Sequence, residues 1–294
     1  MANKQSLPRA EPESAKRISK LSGSVGSNSQ NSHYEALEPS SSGGNCRCLL
    51  HSGYFPSPPR CRWLVAINSY NYTNLGGPLT WYGLNNETNA ACSQGKHQSP
   101  IDIVTAEIDY VPTGSLRFNI PATTAAKFEN LGSGLEVVLT NGTLSVGNST
   151  QYKLAQFHFH TPSEHRINEE YFPLESHFVF EDSESNIAVV GFLFQLSETG
   201  VSFPLFDAVF AHIDDIATPG TFTETGPLDF AGLTAHLDSH GIYQYDGSLT
   251  PPPLQRGSCL SYNKVKQILK FNARYTQTAL GADNLLEVAA HELY

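Results

Sequence analysis

From Ala126 onward apolar residues recur at every second position, in short runs cut by Gly, Asn and Pro. A period of two is that of a strand with one buried face. The runs are Leu135-Glu136-Val137-Val138-Leu139, Thr143 to Val146, Tyr152 to His160, Glu175 to Phe180 and Ile187 to Gln195. Asn141-Gly142 separates the first two and predicts a hairpin turn between them. Helical spacing is confined to two pieces. Leu205 to Ile213 places Leu205, Phe206, Val209, Phe210 and Ile213 on one face, and Asn263 to Phe271 does the same with Val265, Ile268 and Leu269. Both read as packing helices. The pattern predicts a mainly β domain: a large, twisted, mostly antiparallel sheet with short peripheral helices and no internal repeat.

Upstream the pattern stops. Residues 1 to about 45 are rich in Ser, Asn, Gly and Glu without apolar periodicity, which predicts disorder. The next stretch carries Cys46, Cys48, Cys61 and several prolines at no recognisable metal spacing. Residues 1–69 are therefore assigned to a disordered or wrongly joined N-terminal extension, and 70–294 to the domain.

The chain has 294 residues, enough for one large core, and a formal net charge of −10. With no basic cluster in the domain, nucleic acid is not an expected partner. No run approaches the ~18 to 20 apolar residues of a membrane span, and Trp63 to Ile67 is too short to anchor. Met1 is followed by polar and charged residues rather than the apolar core of a signal peptide. Four acceptor sequons point the other way, at Asn71-Tyr72-Thr73, Asn86-Glu87-Thr88, Asn141-Gly142-Thr143 and Asn148-Ser149-Thr150. They favour passage through the secretory pathway over a cytoplasmic location. The 5 cysteines leave one over if the others pair.

Candidate chemistry lies in Gln156-Phe157-His158-Phe159-His160 and in Leu174-Glu175-Ser176-His177. In a strand Gln156, His158 and His160 point to one face while Phe157 and Phe159 point into an apolar layer. If the second run pairs beside the first, His177 joins the two histidines and Glu175 shares its face. Three neutral imidazoles with an open fourth position suit a hydrolytic Zn²⁺, which lowers the pKa of coordinated water from about 16 to about 7. Gln156 and Glu175 are placed to orient the imidazole N–H groups.

These residues, with Ser163-Glu164-His165 and Tyr245-Asp246-Gly247-Ser248-Leu249-Thr250 before prolines, resemble the alpha-class carbonic anhydrases of secreted microbial type. Gly76-Gly77-Pro78, Trp81, Gln98-Ser99-Pro100-Ile101-Asp102, Phe271-Asn272-Ala273-Arg274 and Gln277 extend the resemblance over about Tyr70 to Leu293. It implies zinc on His158, His160 and His177, with Gln156 and Glu175 behind His158 and His177. It also implies that Thr250 accepts a hydrogen bond from the nucleophile and gives its own proton to Glu164, because an ionised carboxylate can only accept. Val179, Val189 and Leu249 match an apolar pocket for carbon dioxide.

The implied activity is reversible hydration of carbon dioxide to bicarbonate; the alternative is a silent carbonic-anhydrase-like binding protein. Oligomeric state is not implied. Ser133 stands where fast relatives carry a proton-shuttling histidine, so turnover should lean on external buffer. Secreted relatives join a cysteine at the Cys92 position to one directly after the prolines, where this chain has Leu254; Cys259 is the nearby substitute. From Leu254 to Ser261 the family pattern is lost. If the Leu254 codon ends in G, that of Gln255 is CAG and that of Arg256 is AGG, then reading from that G restores Ala-Glu-Gly, as a one-nucleotide shift of frame would.

Overall fold

The alternating runs pair into one sheet. The structure is a computed structural model describing residues 64–87, 89–146, 150–247, 254–258 (backbone) and 271–277. Leu249, Thr250, Cys259, most of the Asn148 sequon and the helix expected over 263–271 lie almost wholly outside these residues. Among the described residues nine strands make the main sheet: β1 Leu116–Asn119, β2 Lys127–Asn130, β3 Leu135–Val138, β4 Thr143–Val146, β5 Thr150–His160, β6 Leu174–Glu181, β7 Ile187–Gln195, β8 Phe222–Glu224 and β9 Leu254–Ser258. Their order is β8-β2-β3-β5-β6-β7-β9, with β4 on β5 and β1 on β4. All these pairings are antiparallel except β7 with β9. The expected mainly β, mostly antiparallel architecture is what forms.

One face of this sheet is a phenylalanine layer. Phe157 and Phe159 of β5, Phe178 and Phe180 of β6, and Leu135 and Val137 of β3 are each fully buried. Phe157 stacks on Phe178 with ring centroids 4.6 Å apart. Helix α1 (Pro204–Phe210) adds Leu205, Phe206, Val209 and Phe210, and α2 (Ala231–Ser239) adds Leu233 and Leu237. A slip of one residue in β5 and β6 would turn these four phenylalanines outward, at ~1.5–3 kcal/mol per side chain, or roughly 6–12 kcal/mol in all. That penalty holds the opposite parity in place, and the opposite parity is the histidine face.

Two sequence expectations change in detail. The expected helix over Leu205 to Ile213 ends at Phe210, and Ile213 begins a separate 3₁₀ turn, Ile213–Ile216. Asn141-Gly142 is not a hairpin. β3 and β4 both pair with β5, β3 against Val138↔Gln156 and its neighbours, β4 against Thr143↔Lys153 and its neighbours. The two runs therefore lie end to end along one edge of the long β5. Leu154 N–H bridges the gap by donating to Gly142 O at 3.0 Å, an ordinary backbone hydrogen bond. Gly142 is needed for close approach rather than for a turn: a Cβ there would sit 3.1 Å from Ile120 Cγ1 and from Leu154 Cβ. Ahead of the sheet, Val65 N–H donates to Gly220 O (2.8 Å) and Asn68 N–H to Leu131 O (3.0 Å).

Candidate metal centre

β5 and β6 bring the three histidines together by register. His177 is the direct partner of His158, Glu175 of His160, and Val179 of Gln156. Each ring is held by its other nitrogen. His158 Nδ1 lies 2.8 Å from Gln156 Oε1, His160 Nδ1 2.8 Å from the Asn272 carbonyl oxygen, and His177 Nε2 2.6 Å from Glu175 Oε1. Since those three oxygens accept, the N–H sits on the bonded nitrogen, and the lone pairs fall on His158 Nε2, His160 Nε2 and His177 Nδ1. Ligand atoms of the three rings lie within 4.8 Å of one another. His160 Nε2 is buried and has no hydrogen-bond partner, although its ring is 4 % exposed. A buried acceptor left so, facing two other imidazoles, is what a metal-ligand position looks like without its ion.

Burial, and then the adjacent His160 and His177 rings, hold the pKa of His158 well below the usual imidazole range. Burial also lowers His160, against the pull of Glu164. For His177 burial lowers the value but Glu175 outweighs it and leaves it raised. Behind His177, Glu175 is fully buried and accepts four hydrogen bonds. Oε2 takes Glu164 N–H (2.8 Å) and His165 N–H (2.9 Å), and Oε1 takes His165 Nδ1–H (2.7 Å) and His177 Nε2–H (2.6 Å). Burial alone would raise this carboxyl, but His165 and His177 hold it well below its ordinary value. His165 continues the chain to the Tyr245 hydroxyl (2.7 Å), which donates to Ser99 Oγ (2.7 Å).

Glu164 is 8 % exposed, and its Oε1 accepts Arg274 N–H at 2.9 Å. The Arg274 guanidinium is spent on Ser99 O and Gln98 Oε1, both at 2.7 Å. Glu164 Oε2 lies 3.9 Å from His177 Nδ1, at the edge of the histidine cluster. Val179 and Val189 are direct partners on the face of His177, two residues along from it. Ser133 is buried, and its Oγ accepts from Asn68 Nδ2 at 2.7 Å. Of the residues that the sequence singles out for the site, Leu249 and Thr250 alone fall outside the described part.

Several neighbours of the site are not singled out by the sequence. His165 joins Glu175 and His177 in a second cluster of potential ligand atoms. Tyr72 packs its ring 6.3 Å from that of His160, and burial followed by Glu164 raises its hydroxyl pKa well above the usual value. Glu136 stands opposite His158 on β3, and burial followed by Glu129 raises its carboxyl to about 7. Two of them carry a signal in the sequence: His165 closes the Ser163-Glu164-His165 motif, and Glu136 is the one charged residue in an otherwise apolar alternating run.

A three-histidine cluster on the face of a β-sheet is a group that could hold a metal ion. Comparison with known proteins narrows the class. Residues 76–261 match the family of eukaryotic-type carbonic anhydrases. Alpha carbonic anhydrase 8 of Arabidopsis thaliana is 32% identical over 230 residues, 76% of this chain and 55% of the relative. Alpha carbonic anhydrase 5 of the same plant is 31% identical over 198 residues, 63% of this chain and 66% of the relative. The chain thus spans between about half and two thirds of these relatives. Among solved structures, the fungal alpha carbonic anhydrase of Aspergillus oryzae superposes with a TM-score of 0.72 at 56% identity, covering 76% of this chain and 100% of that one. The chain belongs to the alpha carbonic anhydrase family and shares its fold.

Proposed function

We propose that the protein catalyses the reversible hydration of carbon dioxide to bicarbonate, with one Zn²⁺ held by His158, His160 and His177. The observation that carries this is the convergence of three oriented imidazoles, with His160 Nε2 buried and unpartnered. When bound, zinc in such a three-histidine site supplies a Lewis acid that brings the pKa of water near neutrality.

The protein's own groups do the rest. Gln156, Asn272 O and Glu175 fix the three rings in the tautomers that offer lone pairs. Glu164, acceptor only and already anchored by Arg274 N–H, would accept a hydrogen bond from the Thr250 hydroxyl and so leave that oxygen to accept from the nucleophile. Val179 and Val189, with Leu249, form an apolar wall for an uncharged substrate. Ser133 offers no titrating group near neutrality, so the proton leaves through external buffer. Passage through the secretory pathway fits the exposed sequon asparagines Asn71, Asn86 and Asn141. No helix among the described residues is long and apolar enough to cross a membrane.

The test is His160→Ala. It should abolish both stoichiometric zinc and carbon dioxide hydration, since three protein ligands are the usual set of a catalytic zinc site. Full hydration by the variant would refute the assignment.

A further inference from the structure

The register that sets His177 beside His158 continues across the sheet. Glu136 of β3 is the partner of His158, and Glu129 of β2 is the partner of Glu136. Directly opposed side chains of an antiparallel pair share a face, with Cβ atoms ~4.5–5.5 Å apart. The direction of Glu136 is fixed independently, because its neighbours Leu135 and Val137 are fully buried in the phenylalanine layer on the other side. One row thus reads Glu129, Glu136, His158, His177.

The two carboxylates differ. Glu129 is buried and ion-paired with Lys127, whose ammonium also sits 5.1 Å from the Phe222 ring centre. Glu136 is half-buried and has no ion pair among the described residues. His158 is also half-buried, while His160 and His177 are 4 % and 3 % exposed. Within the row, Glu136 and His158 are thus its more open members and lie side by side.

We propose that Glu136 sets the charge selectivity of this pocket, disfavouring anions and selecting neutral nitrogen bases, of the imidazole and amine class, as proton acceptors. The inference rests on the hydratase reading above and names a co-substrate class for it. With Ser133 at the family's shuttle position, each turnover must hand one proton to a base from solution. A neutral base takes H⁺ from water at the site, hydroxide stays behind, and the protonated base leaves as a cation; no electrons are exchanged. The Glu136 carboxylate attracts that cation as it forms. It repels a base such as hydrogen phosphate, which arrives as a dianion. A unit charge at roughly 7 Å, screened by an effective dielectric of roughly 40–80, changes such an equilibrium about 3- to 7-fold.

The experiment uses the full chain loaded with cobalt(II) and titrated with thiocyanate at pH 8.5, followed by the visible spectrum. Glu136→Gln should bind thiocyanate about 3- to 7-fold more tightly than the parent, and Glu136→Asp, which keeps the charge, should stay close to the parent. In zinc-loaded protein at the same pH 8.5, where Glu136 carries its charge, the ratio of turnover in 1-methylimidazole to turnover in phosphate should fall by a similar factor in Glu136→Gln only. The cobalt spectrum itself reports that each variant is folded. Unchanged thiocyanate affinity in Glu136→Gln, or an equal change in Glu136→Asp, would overturn the proposal while leaving the hydratase reading intact. A parent that takes up no cobalt would remove both.

Discussion

Replacing Glu175 with Gln tests how the centre is built, because four donors converge on one fully buried carboxylate. An amide keeps one oxygen and turns the other into an NH₂ group. Two of the four donors must then face a donor. A buried donor without an acceptor costs ~1–3 kcal/mol, so the change should destabilise the fold by roughly 2–6 kcal/mol. At ~2–4 °C per kcal/mol for a domain of this size, Tm should fall by about 5–20 °C. Zinc affinity should fall about 10- to 100-fold, because His177 loses the charged acceptor that orients it. The pH dependence has a definite sign. The folded-state pKa of Glu175 is depressed, burial being outweighed by His165 and His177, so its contribution is present above the unfolded value of about 4.3 and is lost as pH falls through the folded value. The gap in Tm between parent and variant should therefore be wide at pH 7 and narrow as the pH is lowered below about 4. Thermal melts of metal-free and zinc-loaded protein, with zinc affinity by competition against a chelator, measure all of this. A Tm within about 2 °C of the parent at pH 7, with unchanged zinc affinity, would refute the reasoning.

Glu164→Gln or Thr250→Ala should leave zinc bound but slow hydration on the order of 10²-fold, as for loss of one transition-state hydrogen bond; unchanged turnover in metal-replete protein would exclude the relay. Metal-free Glu136→Gln should gain stability over the parent as pH rises from about 4.5 through 7, because a raised carboxyl pKa means that ionising Glu136 costs the folded state; parallel Tm profiles across that range would contradict it. Ser133→His should raise turnover most in dilute buffer, although the imidazole must displace the hydrogen bond from Asn68, and buffer-independent turnover in the parent would count against it. Changing Leu254→Cys, Gln255→Ala, Arg256→Glu and Ser258→Val together should raise Tm and zinc content and form a disulfide with Cys92; equal stability, metal content and thiol count in both proteins would show the original segment to be a genuine variant.

The histidine face is legible in the sequence because two different signals agree on it. Phe157 and Phe159 fall on one parity and His158 and His160 on the other, and burial of the phenylalanines leaves the histidines no other face. Glu175 and His177 repeat that parity in β6, so pairing the two strands is enough to bring the four residues together. The hairpin expected at Asn141-Gly142 does not form for a matching reason. The residue pair carries turn chemistry, but Gly142 answers to Ile120 and Leu154, which press against its backbone from elsewhere in the chain. Local sequence carries no record of that pressure.

What the sequence does not show is which strand lies beyond β5. The parity of Glu136 is visible in it, but parity relates side chains within a strand, and its consequence depends on β3 lying against β5 with Glu136 opposite His158 rather than displaced by two. A displacement of two keeps every apolar residue inward and costs little in burial, yet it would pair Val138 or Gly134 with His158 and move the carboxylate a full pleat away. Hydrophobic pattern therefore decides which face carries the chemistry, while the ladder decides which side chains meet on it. The histidines escape this ambiguity because Glu175, spaced by two from His177, must reach both His177 Nε2 and the backbone N–H groups of Glu164 and His165, and only one register of β6 on β5 allows that. Glu136 has no such second anchor among the described residues, so its place beside the metal ligands becomes visible only from the assembled sheet.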